Sequence, residues 1–125
     1  MNRGIAVNGP DQRVGRVSWQ DARGFCRWLS ERTGKRFDLP TEAQWLHARG
    51  SRRRGGAEWT RSSYRPYPYD TEDGRDTPRP IGLKAVRGLK GPMPSGATAR
   101  DFRWRYPSWQ RVYNVGFCVL CEDDL

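Results

Sequence analysis

Three groups of residues have types and spacings that could carry chemistry. Cys118 and Cys121 form a Cys-x-x-Cys, a spacing able to offer two thiolates to a soft metal ion or to a redox couple. On a strand, however, residues three apart face opposite ways, so the two thiols meet only if Val119-Leu120 bends sharply. No second cysteine pair exists, and the single histidine, His47, stands far away in sequence. Ordinary buried or edge thiols are the bland expectation for Cys118 and Cys121. A second group interleaves guanidinium and aromatic side chains: residues 100–106 with Trp109, Arg111 and Tyr113, and the run Arg52-Arg53-Arg54. Arg and large aromatic residues dominate interface energetics, which nominates Arg52, Arg53, Arg54, Arg103, Trp104, Arg105 and Trp109 as a binding set. The same composition could track a nucleic-acid strand by charge and base stacking. The third group, residues 64–70 with Asp73 and Asp76, could be a cation loop, but prolines that set the backbone make a packed turn region the more economical expectation.

The elements that must position these residues are few. Ser18 followed by Asp21 reads as a capping box, with Trp19, Ala22, Cys26 and Leu29 at helical spacing behind it and Phe25 widening the stripe. Gly34 is a suitable stop. Residues 36–39 alternate like a short strand closed by Pro40, and Thr41 with Gln44 opens a second helix that Gly50 ends. From residue 57 to 94, prolines and glycines interrupt every helical window, so a long irregular segment is expected, pinned by Trp59, Tyr64, Tyr67 and Tyr69. Short strands are expected around residues 85–87 and over 115–120.

Composition bounds the whole. The 125 residues with 35% apolar content suffice for one core. Lys and Arg number 23 against 14 Asp and Glu, a formal net charge of +9. Of the 23 basic residues only Lys35, Lys84 and Lys90 are lysines, a bias toward bidentate pairing and stacking. No segment offers the roughly 20 apolar residues of a membrane span, and the first ten residues lack the apolar stretch of a signal peptide. Together with an odd count of three cysteines, this leads to the expectation of a cytoplasmic protein with reduced thiols. The expected organisation is a loose arm over 1–16, one domain over 17–121 and an acidic tail over 122–125.

The succession Val17-Ser18-Trp19-Gln20-Asp21-Ala22, Phe25-Cys26-Arg27-Trp28-Leu29 and Thr33-Gly34-Lys35-Arg36-Phe37-Asp38-Leu39-Pro40-Thr41-Glu42-Ala43-Gln44-Trp45 resembles the formylglycine-generating enzyme family, also called sulfatase-modifying factors. Ala57-Glu58-Trp59-Thr60-Arg61, Tyr64 to Asp70 with Asp73-Gly74-Arg75, Val86-Arg87-Gly88 and Asn114-Val115-Gly116-Phe117 continue it in order. The resemblance implies an α+β, C-type-lectin-like fold: two short helices, a small antiparallel sheet and long irregular loops.

Its implications for activity are weaker, because fold does not carry function with it. Family enzymes that oxidise a substrate cysteine use copper, oxygen and two cysteines in the stretch before the Gly-Phe motif. Here that stretch, residues 94–104, has none. The family's calcium segment is reduced to a short Arg/Gly loop, leaving Glu58 as a lone candidate ligand where a site takes about six to eight oxygens. Family domains also carry further strands before the position of Val17. The resulting expectation is a non-catalytic module without cofactor, associating with a protein partner or a larger assembly. The alternatives are a divergent copper-dependent oxidase that uses Cys118 and Cys121, and a basic nucleic-acid-binding protein.

Overall fold

The computed structural model describes residues 15–48, 57–88 and 103–124. Residues 1–14, 49–56, 89–102 and 125 lie outside them, and with them Arg52, Arg53, Arg54 and the helix stop expected at Gly50.

Local chemistry sets the helices. Helix α1 (Trp19–Thr33) begins where Ser18 Oγ accepts from the Asp21 amide at 2.9 Å while the Asp21 carboxylate accepts from the Ser18 amide at 3.0 Å. It ends at Gly34, whose φ of 76° only glycine adopts freely, with its N–H on Ser30 O at 2.9 Å. Strand β1 (Phe37–Asp38) leads into α2 (Glu42–Ala48), opened by the second capping box: Gln44 N donates to Thr41 Oγ1 at 3.1 Å and Thr41 N to Gln44 Oε1 at 2.8 Å.

Strands β2 (Ala57–Ser63), β3 (Leu83–Arg87), β4 (Arg103–Pro107) and β5 (Val115–Phe117) form one sheet in the order β4-β3-β2-β5. Strand β6 (Leu120–Cys121) pairs separately with β1. The expected antiparallel arrangement holds for β4-β3-β2 and for β1-β6, whereas β5 runs parallel to β2, making the main sheet mixed. The strand expected over 115–120 is divided, because the chain leaves β2 after Phe117 and joins β1 at Leu120. Two strands were not foreseen. Every residue of β2 except Arg61 and Ser63 is buried, so no polar face marks it, and β4 lies in a segment dominated by arginine and aromatic residues.

Cross-strand partners share a face. Ala57, Trp59, Val86, Val115 and Phe117 point to one side, against Trp19, Ala22 and Cys26 of α1 and Leu39, forming the core. Both central indoles are satisfied there: Trp19 Nε1 donates to Thr60 O and Trp59 Nε1 to Val17 O, each at 3.0 Å. Residues expected at the loose ends are engaged. The Arg16 amide bonds Val112 O at 3.1 Å and Val17 bridges to Val112. The acidic end forms a 3₁₀ turn (Glu122–Asp124), with Asp123 ion-paired to Arg36 at 2.8 Å and Glu122 facing Arg61.

Replacing the first cap, Ser18→Ala, is expected to cost about 1 kcal/mol of stability. The melting temperature should fall by about 3–5 °C in a calorimetric scan.

Candidate functional site

The face of the main sheet opposite the core is polar, and α2 covers it. The register aligns Glu58 of β2 with Arg87 of β3, and Arg87 with Arg103 of β4. Glu42, in the first turn of α2 and fully buried, reaches this row. Its carboxylate accepts from Arg87 Nε at 2.8 Å, from Arg103 Nε at 2.5 Å and from Arg103 Nη2 at 2.8 Å. Glu58, also fully buried, accepts from Trp45 Nε1 of α2 at 2.8 Å. Two charged rows and a helix are thus locked together out of water, where each carboxylate needs its partners.

Aromatic rings extend the row outward. The Arg103 guanidinium lies 4.5 Å from the Tyr64 ring and 4.4 Å from that of Tyr67, while Arg87 Nη2 donates to the Tyr67 hydroxyl at 2.7 Å. Burial works against the Arg103 charge, yet the hydrogen bond and charge of Glu42 outweigh it and hold its pKa above the ordinary value. One step along β4, the Arg105 guanidinium sits 4.4 Å from the Trp104 ring and 5.4 Å from Tyr64. Trp104 and Tyr67 remain 40% and 48% exposed.

The structure therefore sorts the binding set. Arg103, Trp104 and Arg105 come together at the end of the sheet nearest α2. Arg103 is committed to Glu42, whereas Arg105 stacks on rings. Trp109, 68% exposed, lies beyond the other end of the β3–β4 ladder, just past Ser108, whose amide bonds Gly82 O at 3.0 Å. Glu42, Arg87, Tyr64 and Tyr67 were not nominated as site residues. A glutamate in the first turn of a helix is ordinary helix chemistry, and nothing in its spacing announces two arginines from distant strands.

The metal candidates fare differently. Cys118 is buried in the core, close enough to Cys26 that its charge, after burial and the Asp38 carboxylate, helps push the Cys26 thiol up to about 12. Cys121 lies in β6 opposite Phe37, partly exposed. One thiol thus belongs to the core and the other to the small sheet. Glu58, the calcium candidate, accepts from the Trp45 indole inside the protein. Among the described residues no group of three or more His, Cys, Asp or Glu side chains could hold a metal ion. The Tyr64–Asp76 region is a packed turn. Arg75 is buried on Asp73 and the Pro66 carbonyl, and Asp76 accepts from Ser62 at 2.5 Å and from the Tyr69 hydroxyl.

Across the sheet, on the core side, Lys84 is fully buried with its Nζ 4.2 Å from the Trp19 ring and 3.3 Å from Ser63 Oγ. No carboxylate among the described residues pairs with it. Burial, with Arg23 and Arg79 adding like charge, pushes its pKa down to about 8.

Residues 3–85 match the sulfatase-modifying factor enzyme 1-like domain. The chain belongs to this sulfatase-modifying factor family. Among solved structures, PvdO from Pseudomonas aeruginosa superposes with a TM-score of 0.66 at 18% identity, over 93% of this chain. The chain spans 65% of the length of that protein. A comparison with curated proteins gives no match. The sulfatase-modifying factor assignment agrees with the α+β arrangement of two helices and small sheets, and the family match includes α1, β1, α2, β2, the loop before β3 and the first three residues of β3.

Two variants test the electrostatics. Removing the buried carboxylate by Glu42→Gln leaves two guanidinium groups sharing a neutral amide and is expected to cost about 3 kcal/mol or more in urea unfolding. Lys84→Met keeps the stem over Trp19 and removes the buried charge. Because the unfolded lysine titrates near 10.5 and the folded one near 8, the unfolded chain holds the extra proton between those values. The contribution of Lys84 to stability therefore rises with pH across that window. Lys84→Met should melt higher than wild type at pH 7, and the gap should shrink as pH is raised to 10.

Proposed function

We propose that this sulfatase-modifying factor relative is a non-catalytic, cofactor-free module of the reducing cytoplasm that works by associating with another protein, as a small subunit of a larger assembly. The observation that carries the reading is the state of the thiols. The stretch before Gly116-Phe117 that holds the oxidase cysteines in the family contains none, and the remaining Cys-x-x-Cys is divided between the core at Cys118 and the β6 strand at Cys121. Two thiolates facing one another are the minimum for binding Cu(I) softly and tightly. What this chain presents instead is an exposed set of arginine-stacked rings at Trp104 and Tyr67, with Arg105 on Trp104, and further exposed apolar side chains at Trp109, Ile81 and Leu83. Exposed aromatic and arginine side chains of this kind are favoured at interfaces.

The test has two arms. Tagged protein isolated from its source at moderate salt should carry a stoichiometric protein partner identified by mass spectrometry, with an absorbance ratio unaffected by nuclease. Anaerobic Cu(I) titration should show no stoichiometric tight binding. Tight binding abolished by Cys118→Ser would instead favour the copper-dependent oxidase, and nuclease-sensitive absorbance would put the nucleic-acid reading above association.

A further inference from the structure

The two arginines of β4 that lie on the α2 face differ in one respect that decides what the surface can recognise. Arg103 has its charge answered by Glu42 at 2.5 and 2.8 Å. Arg105, on the same face of the same strand, has two rings beside it and no carboxylate among the described residues: Trp104 at 4.4 Å and Tyr64 at 5.4 Å. Ring faces attract a guanidinium but leave its N–H fork unsatisfied in its own plane. The stacking also holds that plane in one orientation, so little rotamer freedom remains to be lost when a partner arrives.

The position of the pair matters as much. Trp104 and Arg105 are neighbours on a strand and start toward opposite faces, so their contact closes around an edge of β4. β3 occupies the inner edge along the whole of β4. The contact therefore wraps the outer edge, which shields it from simple strand addition and turns it into a ledge of ring and guanidinium.

We infer that this ledge, Arg105 with Trp104, Tyr64 and Tyr67, docks an acidic segment of a partner protein, one carboxylate engaging the Arg105 fork and an adjacent apolar side chain covering the exposed rings of Trp104 and Tyr67. The inference rests on the association reading above and specifies the partner's chemistry. A planar fork with a single free charge suits one carboxylate, which takes two parallel N–H bonds. A nucleic-acid strand asks for a succession of cations along its phosphates. Here Arg87 and Arg103, which could have formed that succession, are both on Glu42. The apolar half of the partner follows from exposure: Trp104 and Tyr67 offer broad ring surface beside the charge.

The experiment uses the full chain and three fluorescein-labelled probes: a peptide of alternating Asp and Phe, its counterpart with Asn for Asp, and a thymidine oligonucleotide of equal length. Fluorescence anisotropy should show the Asp-Phe peptide binding more tightly than the other two and weakening as salt rises. Arg105→Gln should lose about tenfold in affinity for that peptide and Trp104→Ala a similar amount. Arg111→Gln, which changes an exposed arginine paired to Asp21 at 3.0 Å, should leave it unchanged. Melting curves of each variant separate lost binding from lost folding, and Arg105→Gln is the milder of the two ledge changes. Equal affinity of wild type and folded Arg105→Gln, equal affinity for the Asn peptide, or tighter binding of the oligonucleotide would each overturn the inference. The association reading fails separately. A co-purifying partner retained by Arg105→Gln would remove the ledge and leave association standing, whereas isolation of the chain without any partner would remove association itself.

Discussion

The buried carboxylate of Glu42 is the interaction on which the polar half of the molecule depends. It arrives from the first turn of α2 and is met by Arg87 from β3 and Arg103 from β4. Arg87 and Arg103 lie 45 and 61 positions from Glu42 along the chain. A charge removed from water is tolerated only when its hydrogen-bonding capacity is filled, so the helix and two strands are held at one mutual spacing. The outer rings depend on it in turn. Tyr67 receives a hydrogen bond from Arg87 and lies against Arg103, and Tyr64 stacks on Arg103 and Arg105.

The same device recurs around Asp38, buried in β1. Arg23 of α1 approaches it bidentately at 2.9 and 2.8 Å, and Arg61 of β2 lies 3.4 Å from it while facing Glu122 at the same distance. The chain's basic excess is therefore partly internal. Arginine forks act as struts between elements, and Arg75 on Asp73 does the same within the long loop. Lysine could not substitute, since a point charge lacks the planar pair of donors that joins two carboxylate oxygens at once. Lys84, the fully buried lysine of β3, shows the contrast: it has a ring face and a hydroxyl but no carboxylate.

This use of charge bears on what the surface has left to offer. The net charge of +9 already counts every carboxylate and survives internal pairing, but pairing decides which guanidinium groups are engaged: Arg23 and Arg61 share Asp38, Arg87 and Arg103 share Glu42, and Arg75 is on Asp73. Among the described residues at this end of the sheet, Arg105 has rings beside it and no carboxylate. The thiols show a parallel division, with Cys26 and Cys118 packed as small apolar groups in the core and Cys121 on the separate two-stranded sheet.

Local signals carried much of the fold in the sequence. Both capping boxes, the glycine stop at Gly34, the apolar stripe of α1 and the short strand before Pro40 are readable because each is decided by residues within four positions of one another. The motif succession from Val17 to Phe117 pointed to the family and so to the α+β arrangement. Strand β2 was illegible because it is buried on both faces and its polar residues are satisfied by distant partners, which erases alternation. The division of 115–120 into two strands, and the parallel placement of β5, depend on which strands happen to lie alongside. In the candidate site, the sequence identified Arg103, Trp104 and Arg105 by residue type but made them equivalent. Only the tertiary structure decided that Arg103 belongs to Glu42, 61 positions away, and that Arg105 does not, because pairing across such a separation is set by how helix and sheet pack and by no spacing along the chain.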